Sequence, residues 1–197
     1  NLRINSNASG TGTNVSALEI DAQYNIDIDN CWMQGGDYDG TLTAGVNVKL
    51  SKHLRFTSCN FTNGVSYGVM FSGAAYDDTM FNDCQFDENQ VDIIVLSTGY
   101  VQRGNILGCS FGQSYVNGTY PTPVVNKNIY AGTASTIDYL SVINCDFFSS
   151  TGSSTDNAID ITSPLNVRIS DSRFSNLKKY AIVSRNAGTF EIKDNTF

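Results

Sequence analysis

Short runs of alternating apolar and polar residues recur along the chain at a near-constant spacing, and each run closes on the same signature. The signature is a polar turn residue, a cysteine, and an aromatic residue or methionine two positions on. Its copies are Asn30-Cys31-Trp32-Met33, Ser58-Cys59-Asn60-Phe61, Asp83-Cys84-Gln85-Phe86, Gly108-Cys109-Ser110-Phe111 and Asn144-Cys145-Asp146-Phe147. Asp171-Ser172-Arg173-Phe174 and Asp194-Asn195-Thr196-Phe197 repeat it without the thiol. With the cysteine position as anchor, successive copies lie 28, 25, 25, 36, 27 and 23 residues apart. A period of this length belongs to a solenoid whose units bury their apolar faces against one another.

Five and three residues before the anchor stand Ile26/Ile28, Leu54/Phe56, Thr79/Phe81, Gly104/Ile106, Leu140/Val142, Val167/Ile169 and Phe190/Ile192. A period of two, rich in β-branched and aromatic residues, predicts a strand with one buried face. The cysteine and the residue two later predict a second, shorter strand. A third lies about 13 residues before the anchor, at 17–20, 45–50, 68–71, 91–96, 158–161 and 180–183. Glycine and small polar residues separate the strands. Three strands in a coil of about 25 residues, repeated about seven times, predict an all-β parallel β-helix. A β-sandwich would need hairpin signals at shorter and less regular spacing.

The 197 residues are 41% hydrophobic and fit one domain, 1–197, with a sizeable core. The chain opens without methionine and stops inside a repeat without polar caps, so a piece of a longer chain is expected. A formal net charge of −7 and a pI near 4.5 argue against nucleic acid or an anionic membrane as partner. No apolar run reaches membrane-spanning length, so no membrane insertion is expected. All five cysteines occupy one column. Stacked on successive coils they would lie about 4.8 Å apart with parallel side chains, beyond the roughly 3.5–4.5 Å Cβ separation of a disulfide. They predict reduced, buried thiols and folding in a reducing compartment. An in-line column cannot supply a tetrahedral site, so no metal or other cofactor is expected.

The order Gly-Val/Ile-x-Phe/Val, short loop, x-Ile-x-x-Asn/Asp-Cys-x-Phe, loop resembles the right-handed, single-stranded parallel β-helix of pectate-lyase-like proteins, bacteriophage tailspikes among them. The resemblance spans nearly the whole chain. It implies that the Gly-Val-x-Phe strand faces a substrate groove walled by loops. It implies a turn in which asparagines stack, which Asn30 and Asn144 fit while Ser58, Asp83 and Gly108 depart. It also implies a homotrimer.

Function is expected between the copies, in the loops. Five carboxylates gather about the expected groove: Asp87 and Glu88 on one side, Asp92 on the strand, Asp77 and Asp78 on the other. Glycoside hydrolysis uses such a pair, one protonating the leaving oxygen and one acting as nucleophile or base. The same residue types are also ordinary turn formers. A lyase would need a base and a cation facing a uronate, for which His53, the single histidine, stands near Lys49, Lys52 and Arg55. Asp21 and Asp92 offer hard oxygens to calcium, though without a calcium-loop signature. Trp32 points outward between Cys31 and Met33, and Tyr100, Tyr115, Tyr120, Tyr130 and Tyr139 lie close to one another in sequence. Flat rings suit a sugar face, and packing of long loops explains them equally. The expected substrate-binding set is Trp32, Lys49, Tyr76, Tyr100 and Tyr115. Opposite charges in adjacent coils, Asp27 with Arg55 and Arg168 with Glu191, read as structural pairs worth roughly 0.2–1 kcal/mol each.

These features, with the resemblance, point to a phage tailspike or fibre β-helix that binds a bacterial surface polysaccharide. If it is an enzyme, it is a depolymerase, a hydrolase in preference to a lyase. The expected location is a virion tail assembled in a host cytoplasm. A secreted bacterial polysaccharide lyase or hydrolase, and a non-enzymatic adhesin, are the alternatives.

Overall fold

The residue before each anchor closes the coil by adopting a left-handed backbone. Its φ is 53° at Asn30, 51° at Ser58, 51° at Asp83, 62° at Gly108, 54° at Asn144, 55° at Asp171 and 54° at Asp194. Asparagine, aspartate and glycine tolerate this region best, which explains why the turn admits all three. The column is thus fixed by backbone conformation, and a continuous asparagine stack is not needed. Ser58 is the exception. Replacing Ser58 with Asn should raise stability by roughly 0.5–1 kcal/mol, read as a higher urea midpoint at unchanged slope.

The computed structural model describes residues 2–5, 16–21, 23–34, 44–62, 67–73, 76–87, 89, 91–95, 100–112, 127–132, 136–148, 157–186 and 188–197. In chain order the strands begin β1 (Leu2–Asn5), β2 (Ser16–Ile20), β3 (Gln23–Asp29), β4 (Cys31–Gln34), β5 (Ala44–Val48) and β6 (Ser51–Thr57). They continue with β7 (Asn60–Thr62), β8 (Tyr67–Phe71), β9 (Tyr76–Asn82), β10 (Gln85–Asp87), β11 (Val91–Val95) and β12 (Tyr100–Leu107). Next come β13 (Ser110–Phe111), β14 (Lys127–Ala131), β15 (Thr136–Ile143), β16 (Asp146–Phe148) and β17 (Asn157–Ile161). The last are β18 (Pro164–Ser170), β19 (Arg173–Ser175), β20 (Tyr180–Ser184) and β21 (Thr189–Lys193). No helix occurs among the described residues.

Every third strand pairs, and all pairs are parallel, giving an all-β parallel solenoid with three seven-stranded sheets. Sheet A is β1-β4-β7-β10-β13-β16-β19, sheet B is β2-β5-β8-β11-β14-β17-β20, and sheet C is β3-β6-β9-β12-β15-β18-β21. In-register pairing stacks like on like, and the core is a set of ladders. Phe61, Phe86, Phe111, Phe147, Phe174 and Phe197 stack face to face with centroids 4.7, 4.9, 4.6, 4.8 and 5.3 Å apart. These distances match the strand spacing, so each ring rests on the next without leaving its strand.

The thiols are free and form a second ladder, with Cys59, Cys84, Cys109 and Cys145 buried and Cys31 half-buried. Each points its sulfur at the carbonyl two residues earlier, at 3.3 Å in Cys31, Cys59 and Cys145. Hydrogen bonding from Cys84 and burial push the Cys59 thiol up, so it stays protonated and can donate. The weaker copies do the same work with other chemistry. Ser172 Oγ donates to Ser170 O at 3.0 Å, and Asn195 Nδ2 donates to Ile169 O at 2.9 Å. The column selects a small side-chain donor that can satisfy a buried carbonyl.

Candidate functional site

Sheet B is the strand set expected to face a substrate groove. Glu19, Asn47, Met70, Ile94, Tyr130 and Asp160 hold one register position along it, and Asn47, Met70 and Asp160 are buried. Asp160 is held by Lys127 Nζ, by Arg185 Nη2 at 2.8 Å and by Asn157 Nδ2 at 3.2 Å. The Lys127 ammonium also lies 4.1 Å from the centre of the Tyr130 ring. Beside this ion cluster Ala44, Met70 and Val91 pack with Tyr67 and Tyr130. The middle of this face is packed, while Glu19 and Tyr180 at its two ends are exposed.

Sheet C is open. Its strands start inward, outward, outward, inward: Ser51-Lys52-His53-Leu54, Tyr76-Asp77-Asp78-Thr79, Val101-Gln102-Arg103-Gly104 and Ile137-Asp138-Tyr139-Leu140. In β6 the second outward residue, His53, has φ 57°, and in β3 Asn25 has φ 55°. The in-out-out-in order itself recurs at one-to-one register in the strands that follow, so it is a property of the sheet. It sets ionisable groups side by side. His53 Nδ1 lies 2.9 Å from Asp78 Oδ2, and Arg103 Nη2 donates to the same oxygen at 3.0 Å while its Nε pairs with Oδ1. Lys52 Nζ is 3.6 Å from Asp77 and Arg55 is 3.8 Å from Asp27. Between these groups lies a trough of about 380 Å³ whose walls include Asn25, Asp27, His53, Arg55, Asp78 and Arg103. Asp78, held by the Arg103 guanidinium, also contacts the His53 ring at Nδ1, which leaves Nε2 facing away from that carboxylate. The volume is that of a ligand site, and its walls are hydrogen-bonding groups.

The expected carboxylate cluster divides among the three sheets. Asp77 and Asp78 stand together on β9, and His53, Lys52 and Arg55, weighed separately as a lyase set, join them there on sheet C. Asp87 is half-buried at the end of β10 in sheet A. Glu88 lies outside the described residues. Asp92 does not face outward: it is 2% exposed, with Oδ1 accepting from Asn89 Nδ2 at 2.9 Å and Oδ2 from Asn128 Nδ2 at 2.8 Å. Burial pushes its carboxyl up to about 7 against the pull of the two amides, with Asp87 adding to the rise. A group so enclosed cannot reach a polymer on the surface.

The expected binding residues also separate. Tyr76 is a core residue with no exposure, its hydroxyl donating to Val48 O at 2.9 Å and accepting from Gly73 N. It faces inward because β9 begins at the inward position of the in-out-out-in order. Trp32 lies on the outer face of sheet A, partly exposed, with Nε1 donating to Thr62 Oγ1 at 2.8 Å. Lys49 pairs with Glu19 at 2.6 Å, which raises its pKa. Tyr100 is half-buried with its hydroxyl on Asp138. Tyr115 and Tyr120 lie outside the described residues. The role of Arg103 and the pair of successive outward residues were missed from the sequence, although the repeated in-out-out-in pattern was there to be read.

No protein-family model matches the chain, and no curated protein matches it. Among solved structures it is similar to QnrB1, a plasmid-mediated fluoroquinolone resistance protein, at 12% identity and a TM-score of 0.38, over 92% of each chain. Nothing about ligand or activity carries across at that level.

Proposed function

We propose that the chain is a polysaccharide-binding β-helix of the tailspike kind, right-handed and of about seven coils, which holds a bacterial surface polysaccharide against the outer face of sheet C. The observation that carries this reading is the polar trough of about 380 Å³ around His53, Asp78 and Arg103. It opens on a sheet whose strands repeat along the solenoid axis, so a polymer laid along that axis meets hydrogen-bonding side chains coil after coil. Exposed aromatic rings stand on the same face at Tyr24 and Tyr139, where sugar rings can rest. In this reading the protein is a homotrimer in a virion tail, and cleavage is an added capacity centred on His53 and Asp78 instead of Asp87, Glu88 and Asp92.

The test is incubation with capsular and lipopolysaccharide glycans, following retention of the protein, glycan chain length, new reducing ends and the ultraviolet absorbance of an unsaturated uronate. Retention without shortening is the expected minimum. Shortening with reducing ends adds hydrolysis, and shortening with absorbance adds elimination. Loss of cleavage in His53→Gln with retention unchanged would place the chemistry in the trough. Failure of every glycan to retain the protein would refute the reading.

A further inference from the structure

The ionisable residues of sheet C alternate in sign from strand to strand. β3 carries Asp27 and Asp29; β6 carries Lys52, His53 and Arg55; β9 carries Asp77 and Asp78. β12 then carries Arg103, β15 Asp138 and β18 Arg168, and only β21, with Glu191 and Lys193, holds both signs. No acid stands on β6, β12 or β18, and no base on β3, β9 or β15. One consequence is internal: opposite charges meet across neighbouring strands in Lys52 with Asp77, Arg103 with Asp78 and Arg168 with Glu191 at 3.9 Å. Pairing a strand with the one two coils away would set like against like.

The other consequence faces outward. Side-chain exposure is 46% at Lys52, 57% at Arg55, 57% at Arg103 and 46% at Arg168, so these pairs stand in water. Exposed pairs contribute little to stability, so their charges remain available to a ligand. Strands in a sheet lie about 4.8 Å apart, so the face presents charge of alternating sign with a period of about 9.6 Å along the axis. Four full cations, Lys52, Arg55, Arg103 and Arg168, oppose five carboxylates, Asp27, Asp29, Asp77, Asp78 and Asp138, between β3 and β18. A polyanion therefore gains nothing from the face as a whole, and neither does a polycation. The polymer that does gain is one whose own charges alternate sugar by sugar.

Resting on the polysaccharide-binding reading above, we infer that the ligand of the sheet C face is a zwitterionic polysaccharide, with a carboxylate and a free ammonium on alternate sugars. Its carboxylates sit over the cationic strands β6, β12 and β18, and its ammonium groups sit over the acidic strands β9 and β15. The protein alternates sign strand by strand and the polymer sugar by sugar.

The experiment uses the wild-type chain and one polymer in two chemical states. N-deacetylated hyaluronate alternates glucuronate with free glucosamine, and re-N-acetylation of the same sample removes the ammonium and keeps everything else. The zwitterionic form should bind at least about tenfold more tightly, as three or more exposed pairs would give. The difference should disappear in molar salt. Chitosan, cationic throughout, should bind no better than the acetylated form. In the double variant Arg103→Gln, Arg168→Gln the preference should fall severalfold while urea midpoints stay close to wild type. Equal affinity for the deacetylated and acetylated polymers, with either bound, would overturn the alternating-charge assignment and leave polysaccharide binding standing. No binding to this panel or to any bacterial surface glycan would overturn both.

Discussion

Replacing Phe111 with alanine should cost about 3–5 kcal/mol, enough to remove much of the stability of a domain of this size. Phe111 is wholly buried between Phe86 at 4.9 Å and Phe147 at 4.6 Å, its ring within 4° of parallel to both. Truncation would leave a ring-shaped void that its neighbours cannot close, because each is tied by its own strand to the sheet A register. Phe111→Leu should cost less than half as much. Phe148, on the outer face of the same sheet, is 39% exposed, so Phe148→Ala should cost about 1 kcal/mol or less. Urea midpoints for the three variants check the order, and equal effects at 111 and 148 would show that the ladder is not the axis of the core.

The second large effect is a pH dependence centred on Asp92. An unfolded carboxyl titrates near 3.8, and burial raises the folded one to about 7. The fold thus favours the protonated form. Its contribution is complete below pH 3.8 and is lost as pH rises through about 7, a change of about 4 kcal/mol between the two limits. The surroundings agree with a neutral group. Asn128 Oδ1 is buried without a partner, and turning that amide over would let it accept the proton of a neutral Asp92. Asp87 is the charged group that bears on Asp92, and it acts in the same direction. Asp92→Asn keeps the site neutral at every pH. The stability of the wild type relative to this variant should therefore fall by about 4 kcal/mol from pH 4 to pH 8. A flat difference across that range would mean that Asp92 is charged and satisfied where it sits.

Much of the architecture could be read from the chain. The anchor column, the alternating pairs before it and the third strand set gave the three parallel sheets, because in-register stacking repeats one environment in every coil. What failed was the counting of faces at the corners. Gly68 and Asp92 hold the same place in their coils, just before Val69 and Ile93. A Cβ at Gly68 would meet Phe86 at 3.3 Å and Asp92 O at 2.7 Å, so that place points into the core although the next residue does too. Placing Asp92 on the groove strand made a caged carboxyl look like a groove acid. The opposite error befell Tyr76-Asp77-Asp78. Two outward residues in a row looked like a loop, so Tyr76 was assigned to the surface and the meeting of Asp78 with His53 and Arg103 went unseen. That meeting joins three coils, and no single stretch of sequence contains it.

Hydroxyl-radical footprinting with and without a retained polysaccharide tests the location of the binding face most directly. Tyr24, Met80, Tyr139 and Leu165 report on the outer face of sheet C, while Trp32 and Phe148 on sheet A and Tyr180 on sheet B are exposed controls. Protection of the sheet C set with the controls unchanged is the predicted result. Protection of Trp32 or Tyr180 with Tyr139 and Met80 still open to oxidation would contradict it.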